Sequence, residues 1–394
     1  MTLGRLAATL VTAATCLVVS VSGAHAAEPT VALPTTQRIY IGTYTRKGGK
    51  GIYVYQLDMA TGALTEAVPP AETVNPSFLA LHPNGRFLYA VGQTKRVKGK
   101  RPDGALKAFA IDPTTGALAF LNQQLSQGRG PCHISVDATG QVLLVANYSS
   151  GSVASLPIAA DGTLGEAASV HQHEGTGGDP RRQRGPHAHS FTIEPGNRFA
   201  FAADLGIDKL MAYRLDAAKA ELAPADPTHV PLKPGAGPRH IAFHPEGTAV
   251  YVVNELDCTV AAFAYDAKTG VCTESQVIKT LPRDIQKGDT TADIHVSPDG
   301  RFLYASNRGH DSLVCFRIDG ESGRLTLVGH TPVEGKTPRN FGIAPTGTFV
   351  LVANQNSDNV VVFRRNVETG VLTPTGHQVQ ISMPVCIKYA VEIP

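Results

Sequence analysis

The chain has 394 residues, a formal net charge of +2, only 17% charged residues, 39 glycines, 27 prolines and no tryptophan. That length exceeds one ordinary compact core, so it calls for two domains or a repeat architecture. The near-neutral balance lacks a basic footprint, and no nucleic-acid partner is expected.

The first predicted element is MTLGRLAATLVTAATCLVVSVSGAHAAEP, with one basic residue (Arg5), an apolar run and the small-x-small triplet Ala24-His25-Ala26. It reads as a secretory signal peptide over residues 1–26, cut after Ala26. Arg5 stands alone, which argues against the twin-arginine route, and the residues around Cys16 do not suit a lipoprotein anchor. Residues 27–37 read as a flexible polar segment, and residues 38–394 as the remaining domain. No later stretch is apolar enough for a membrane span, so the mature chain is expected to be periplasmic or secreted, with no membrane contact. Its five cysteines, Cys132, Cys258, Cys272, Cys315 and Cys386, match no disulfide framework and include no CxxC pair. Single, mostly buried thiols are expected.

From residue 38 the chain repeats itself. RIYIGTY and GIYVYQLD come first, two apolar strands with no strand of their own kind before them. Related units start at Pro76, Pro131 and Pro186, and the basic stretch KRVKGKRPDG (from Lys95) reads as a solvated loop between strands. The clearest units are PRHIAFHPEGTAVYVVNELDCTVAAFAYDAKTG from Pro238, ADIHVSPDGRFLYASNRGHDSLVCFRIDGESG from Ala292 and PRNFGIAPTGTFVLVANQNSDNVVVFRRNVETG from Pro338. Period-two alternation punctuated by Pro-Gly, Asn-Gly and Thr-Gly marks antiparallel hairpins. Units of this length with four strands each are propeller blades. The final PVCIKYAVEI is a first strand with nothing after it, and joining it to the N-terminal strands completes a seventh blade. The expected fold is all-β, a seven-bladed β-propeller closed by its C-terminal strand, which removes two exposed sheet edges.

In such a blade the start of the first strand and the end of the second lie on one face of the disc. Aligning the units gives a uniform column at the second-strand end, Asn147, Asp204, Asn254, Asn307 and Asn354, which suggests a side chain bonding its own turn. The next column varies: Gln93, Tyr148, Leu205, Glu255, Arg308, Gln355. At the first-strand start the columns are Ser77, Cys132, His189, Arg239, Ala292, Arg339, and then Phe78, His133, Ser190, His240, Asp293, Asn340. Uniform positions carry the scaffold; variable polar positions carry a site. In RRQRGPHAHSFTI, Arg181 to Ile193, two histidines enter these columns, and Arg181, Arg182 and Arg184 supply a positive rim that attracts small anions.

HAHSF at 187–191, GPRHIAFHP at 237–245, VNEL at 253–256, ADIHVSPDGRFLYASNRG at 292–309 and PRNF at 338–341 resemble the seven-bladed lactonase family, over nearly all of the mature chain. That family includes propeller-type 6-phosphogluconolactonases and carboxy-cis,cis-muconate cyclases. The resemblance implies an active site of His189 (or His187), Arg239, Glu255 and Arg308. It implies hydrolysis of a sugar lactone, with a muconate-type lyase or a non-catalytic binding propeller as alternatives. Ester opening needs a base for water, donors for the oxyanion and an acid for the leaving alkoxide. Glu255 is read as the group that activates or positions water, His189 as the acid, and Arg239 and Arg308 as the fork that holds the carbonyl oxygen or an anion. His187, His240, Asp293, His295, Arg339, Asn340 and Gln355 are read as substrate-binding or supporting groups. The plainer alternative for Glu255 with its arginines is an ion-pair network tying blades together. His171 and His173 with His187 and His189 raise a metal site, but neither His-x-His pair has an evident carboxylate or thiolate beside it, so no metal and no cofactor are expected. The partner is a small anionic or sugar lactone, and the chain is expected to be a monomer. An export signal sits poorly with a phosphorylated cytoplasmic substrate.

Overall fold

Alternating apolar residues and turn glycines build seven four-stranded antiparallel sheets in the computed structural model, which describes residues 1–2, 35–94 and 103–391. Nearly all of the expected signal peptide, residues 27–34 and the basic stretch at 95–102 lie outside the described residues. Six blades run in chain order; the seventh combines Pro384–Tyr389 with Thr36–Thr43, Gly51–Asp58 and Leu64–Glu72. The closing pair is antiparallel, with Tyr40 opposite Lys388. Its strand starts at Thr36, so the expected polar segment ends two residues early: Gln37 is buried and its amide donates to the Ala390 carbonyl at 2.9 Å. Three outer hairpins turn on Asp-x-x-Thr-Gly, starting at Asp58, Asp112 and Asp266. Asp58 Oδ1 accepts from the Ala60 and Thr61 backbone N–H groups, and Gly62 takes the positive φ of 85° that closes the turn.

Each pair of adjacent blades shares an apolar layer. Phe302, Tyr304, Phe341, Val350, Val352 and Phe363, all buried, fill the one between the fifth and sixth blades. The uniform asparagine column reinforces these seams. Asn147, Asn307 and Asn354 donate to the carbonyls of Ser126, Thr280 and Val333 at the end of the preceding blade. The expected local bond is made as well by Asn147 to Ser152, Asn254 to Thr259 and Asn307 to Ser312, and Asp204 accepts from the Gly206 N–H. The second strand of one blade lies against the exit of the last, so an inter-blade carbonyl is within reach of the amide.

One local irregularity decides what enters the channel. Four of the chain-ordered first strands carry a β-bulge at the same place, where the ladder skips Cys132, His189, Arg239 and Arg339, and the closing strand skips Val385 in the same way. A bulge inserts a residue that has no ladder partner and turns its side chain out of the alternating pattern. These four side chains are therefore aimed at the axis together with their successors, where strict alternation would have sent neighbours to opposite faces.

Candidate active site

The channel mouth on the face where second strands end is a cavity of about 560 Å³. Glu255, immediately after the second strand of the blade that starts at Pro238, is pinned there by its N–H donating to the Gly237 carbonyl at 2.7 Å. Its carboxylate holds three guanidiniums. Oε2 accepts from Arg239 Nε at 3.0 Å and Arg308 Nη2 at 2.9 Å, and Oε1 accepts from Arg182 Nη2 at 2.8 Å. Burial by itself would raise the Glu255 pKa, but Arg308, Arg239 and Arg182 outweigh it and bring it down to about 2.

Arg182 comes from the loop between the second and third blades, and Asp208 explains how that loop is held. Asp208 Oδ2 accepts from the Gly178 and Gly235 N–H groups, and Oδ1 from the Gly237 N–H and the Gln183 amide. One carboxylate thus fastens the loop bearing Arg182 to the segment that leads into Arg239. Sequence reasoning placed Arg182 on the rim but missed Gln183 and Asp208, whose signal is only that of turn residues.

His189 lines the cavity while Arg239 lies one layer deeper, in a constriction where its Nη1 donates to the Ala292 carbonyl and approaches His240 Nε2 at 3.3 Å. Burial, then the Arg239 charge, push the His189 pKa well below 6.5, so the ring is neutral. Cys132 sits beside it, with Sγ 4.0 Å from Nδ1 and donating to the His189 carbonyl at 3.2 Å, and burial pushes that thiol up to about 12. The five cysteines are free thiols. Arg308 Nη2 also donates to the Thr291 carbonyl at 2.7 Å, and Arg339 and Arg46 both lie against the Tyr44 ring, at 5.5 and 5.3 Å. Arg46, Arg182, Arg239, Arg308 and Arg339 therefore surround a single mouth carboxylate. Tyr44 and Arg46 were missed, although Tyr44 follows the end of a second strand and so belongs to the column of Glu255 and Arg308.

Several expected substrate contacts stand elsewhere. His187 stacks on Tyr148 at 4.6 Å, its Nδ1 2.9 Å from the Tyr148 carbonyl, and does not line the cavity, because the bulge brings His189 and not its i−2 neighbour inward. Gln355 turns to Asn356 at 3.2 Å on the rim. His240, Asp293, His295 and Asn340 lie below the mouth. Asp293 accepts from His240 Nδ1 at 2.6 Å, His295 Nε2 at 2.9 Å, the Asn340 amide and the Phe341 N–H. With its Nδ1–H given to Asp293, His240 presents a lone pair at Nε2 to Arg239, so this group supports the arginine from beneath. His173 pairs with Asp204 at 2.6 Å and Tyr213 at 2.9 Å, a carboxylate partner that sequence reasoning did not find. His171 bonds the Leu222 carbonyl. Among the described residues no three His, Cys, Asp or Glu side chains are grouped to hold a metal.

A seven-bladed propeller whose axial mouth gathers a carboxylate, an imidazole and several arginines defines a small-anion or ester-processing class of protein. Residues 38–389 match the model of the seven-bladed β-propeller lactonases, and the chain belongs to that family. A 6-phosphogluconolactonase of Bacillus subtilis is 40% identical over 299 residues, 76% of this chain and 82% of that protein. A periplasmic gluconolactonase of Pseudomonas aeruginosa superposes with a TM-score of 0.85 at 37% identity, covering 91% of this chain and 100% of that one. A putative 6-phosphogluconolactonase of Bacteroides fragilis gives 0.84 at 35% identity, covering 92% and 99%.

Proposed function

We propose that this protein hydrolyses a sugar lactone, of the gluconolactone or 6-phosphogluconolactone type, to the aldonic acid in the mouth cavity. The observation that carries the reading is the Glu255 carboxylate held by Arg182, Arg239 and Arg308 beside a neutral His189.

In this reading Arg308 and Arg182 face the lactone and receive the oxyanion that forms as water attacks the carbonyl. Glu255, held near a pKa of about 2, is too weak a base to take the proton; it orients the two guanidiniums and the attacking water. His189 enters neutral, so it cannot begin as the acid. It accepts the water proton during attack and passes it to the ring oxygen as the C–O bond breaks, leaving the hydroxy acid. Arg239 touches Glu255 and not the cavity, and acts as a positioning residue. The surplus of guanidiniums favours a substrate that is anionic or becomes so.

The leader-like start of the sequence and the periplasmic relative support action outside the cytoplasm, where an unphosphorylated lactone fits better. Acid release from fresh δ-gluconolactone, run beside its 6-phosphate, tests the reading. Glu255→Gln is expected to lower kcat/KM by about 10²–10³-fold. A Glu255→Gln protein as active as the parent would end the assignment, and cell fractionation checks the compartment.

A further inference from the structure

The opposite end of the channel is a separate cavity of about 410 Å³, within the range of small-molecule sites. Part of its wall is apolar, with Ile134, Val136, Phe243 and Val296 in it. Two of the polar groups that reach it are donors with no acceptor among the described residues. Lys388 lies over the Phe78 ring, 4.8 Å from its centroid, and makes no ion pair among the described residues. His133 is buried and packs at a tilt against the same ring, 4.3 Å between centroids. Its Nδ1 accepts the Phe191 N–H at 3.2 Å, so as a neutral imidazole its proton is on Nε2, which has no partner among the described residues. His295 gives its Nε2–H to Asp293, leaving Nδ1 open. Asp293 is the one carboxylate in the lining, and four donors already cover it.

We propose that this second cavity binds a small organic carboxylate with an apolar body, its carboxylate between Lys388 and the His133 Nε2–H and its body against the aliphatic and aromatic wall. Water alone satisfies an exposed lysine, but a half-buried ammonium and an unpartnered imidazole N–H above an apolar floor recognise an anion whose remainder is apolar. The polyhydroxy product expected at the mouth does not fit that wall, so the two ends of the channel select different chemistries.

The test is titration of the full-length protein with benzoate up to about 10 mM, read by the ring resonances of ¹⁵N-labelled histidines, with benzylamine as the cationic control. Saturable shifts at His133 and His295 are expected with benzoate and not with benzylamine. Lys388→Met is expected to weaken the response at least about tenfold and Lys388→Arg to retain it, with both variants keeping the parent's melting temperature and lactone hydrolysis. Shifts confined to His187 and His189, an equal response to benzylamine, or an unchanged titration in Lys388→Met would overturn the proposal. A Lys388→Met protein that fails to fold leaves the decision to the parent's titration and the benzylamine control.

Discussion

At the residue scale the decisive feature is a carboxylate that has been made a poor base. Glu255 is buried, yet three guanidiniums hold its proton off down to about pH 2, while burial and Arg239 hold His189 deprotonated. The two groups therefore divide the work: Glu255 supplies charge and geometry, His189 supplies the lone pair. A base is active in its deprotonated form, so a lowered pKa moves the acidic limb of the rate profile to lower pH. The kcat/KM profile of the parent is expected to stay flat from pH 7 through pH 6, where an ordinary histidine near 6.5 would already have halved it. His189→Gln is expected to lose about 10²–10⁴-fold in kcat, measured by acid release at constant pH. Retained activity in that variant would return the proton transfer to another group.

At the scale of elements, two devices place the site: the bulge repeated in four first strands, and the loop that carries Arg182. The bulge is a backbone feature, so it rotates cysteine, histidine or arginine alike into the axis. The loop has little core of its own and depends on Asp208, which is buried and takes four donors from both sides of the gap between the loop and the Arg239 strand. Removing one partner leaves buried N–H groups unsatisfied, each at about 1–3 kcal/mol. Asp208→Ala is thus expected to lower the melting temperature and to lower kcat by about tenfold, because Arg182, a donor to the oxyanion, loses its fixed position while His189 keeps its own. Steady-state kinetics check this; an unchanged kcat would mean that the loop does not hold Arg182 for the reaction.

At the scale of the whole molecule, ring closure and buried charge set stability. Pro384–Tyr389 covers the edge of Thr36–Thr43, and its loss would expose an unpaired strand and open the seam beside the first and last blades. A chain ending at residue 382 is expected to aggregate or to melt far below the parent, by light scattering and circular dichroism. Acid works through the buried groups. Burial holds His133 and His189 well below 6.5 and His240 at about 4, so the unfolded chain binds more protons below pH 6.5 and stability falls as pH falls. A second loss follows below about 4.5, where Glu255 and Asp293 are protonated in the unfolded chain but still ionised in the folded one. Glu255 by itself accounts for roughly 3 kcal/mol of that second loss. Melting temperatures from pH 7 to pH 3 are expected to decline in these two stages; a flat profile would contradict the buried-ion description.

The architecture was legible in the chain because a propeller is written in local signals. Strand alternation has period two, each turn needs its own Asp, Asn, Pro or Gly, and an orphan strand at each end, RIYIGTY and PVCIKYAVEI, declares the closure. Alignment of the units against one another also brought Arg239, Glu255 and Arg308 to one face, since they occupy columns that a repeat puts on a common circle. Depth along the axis was a different matter. His240 and Asp293 stand in the column one residue beyond that of His189 and Arg339, and with His295 they lie in a lower layer of the tapering channel, which the alignment of units does not show. Tyr44 shares the column of Glu255 and Arg308, but Arg46 lies two residues beyond it, in the blade whose first strand comes from the other end of the chain, where no column marks it. Periodicity fixes which residues share a ring. Only the packed tertiary structure sets their height along its axis and their partners, because those depend on contacts between blades far apart in sequence.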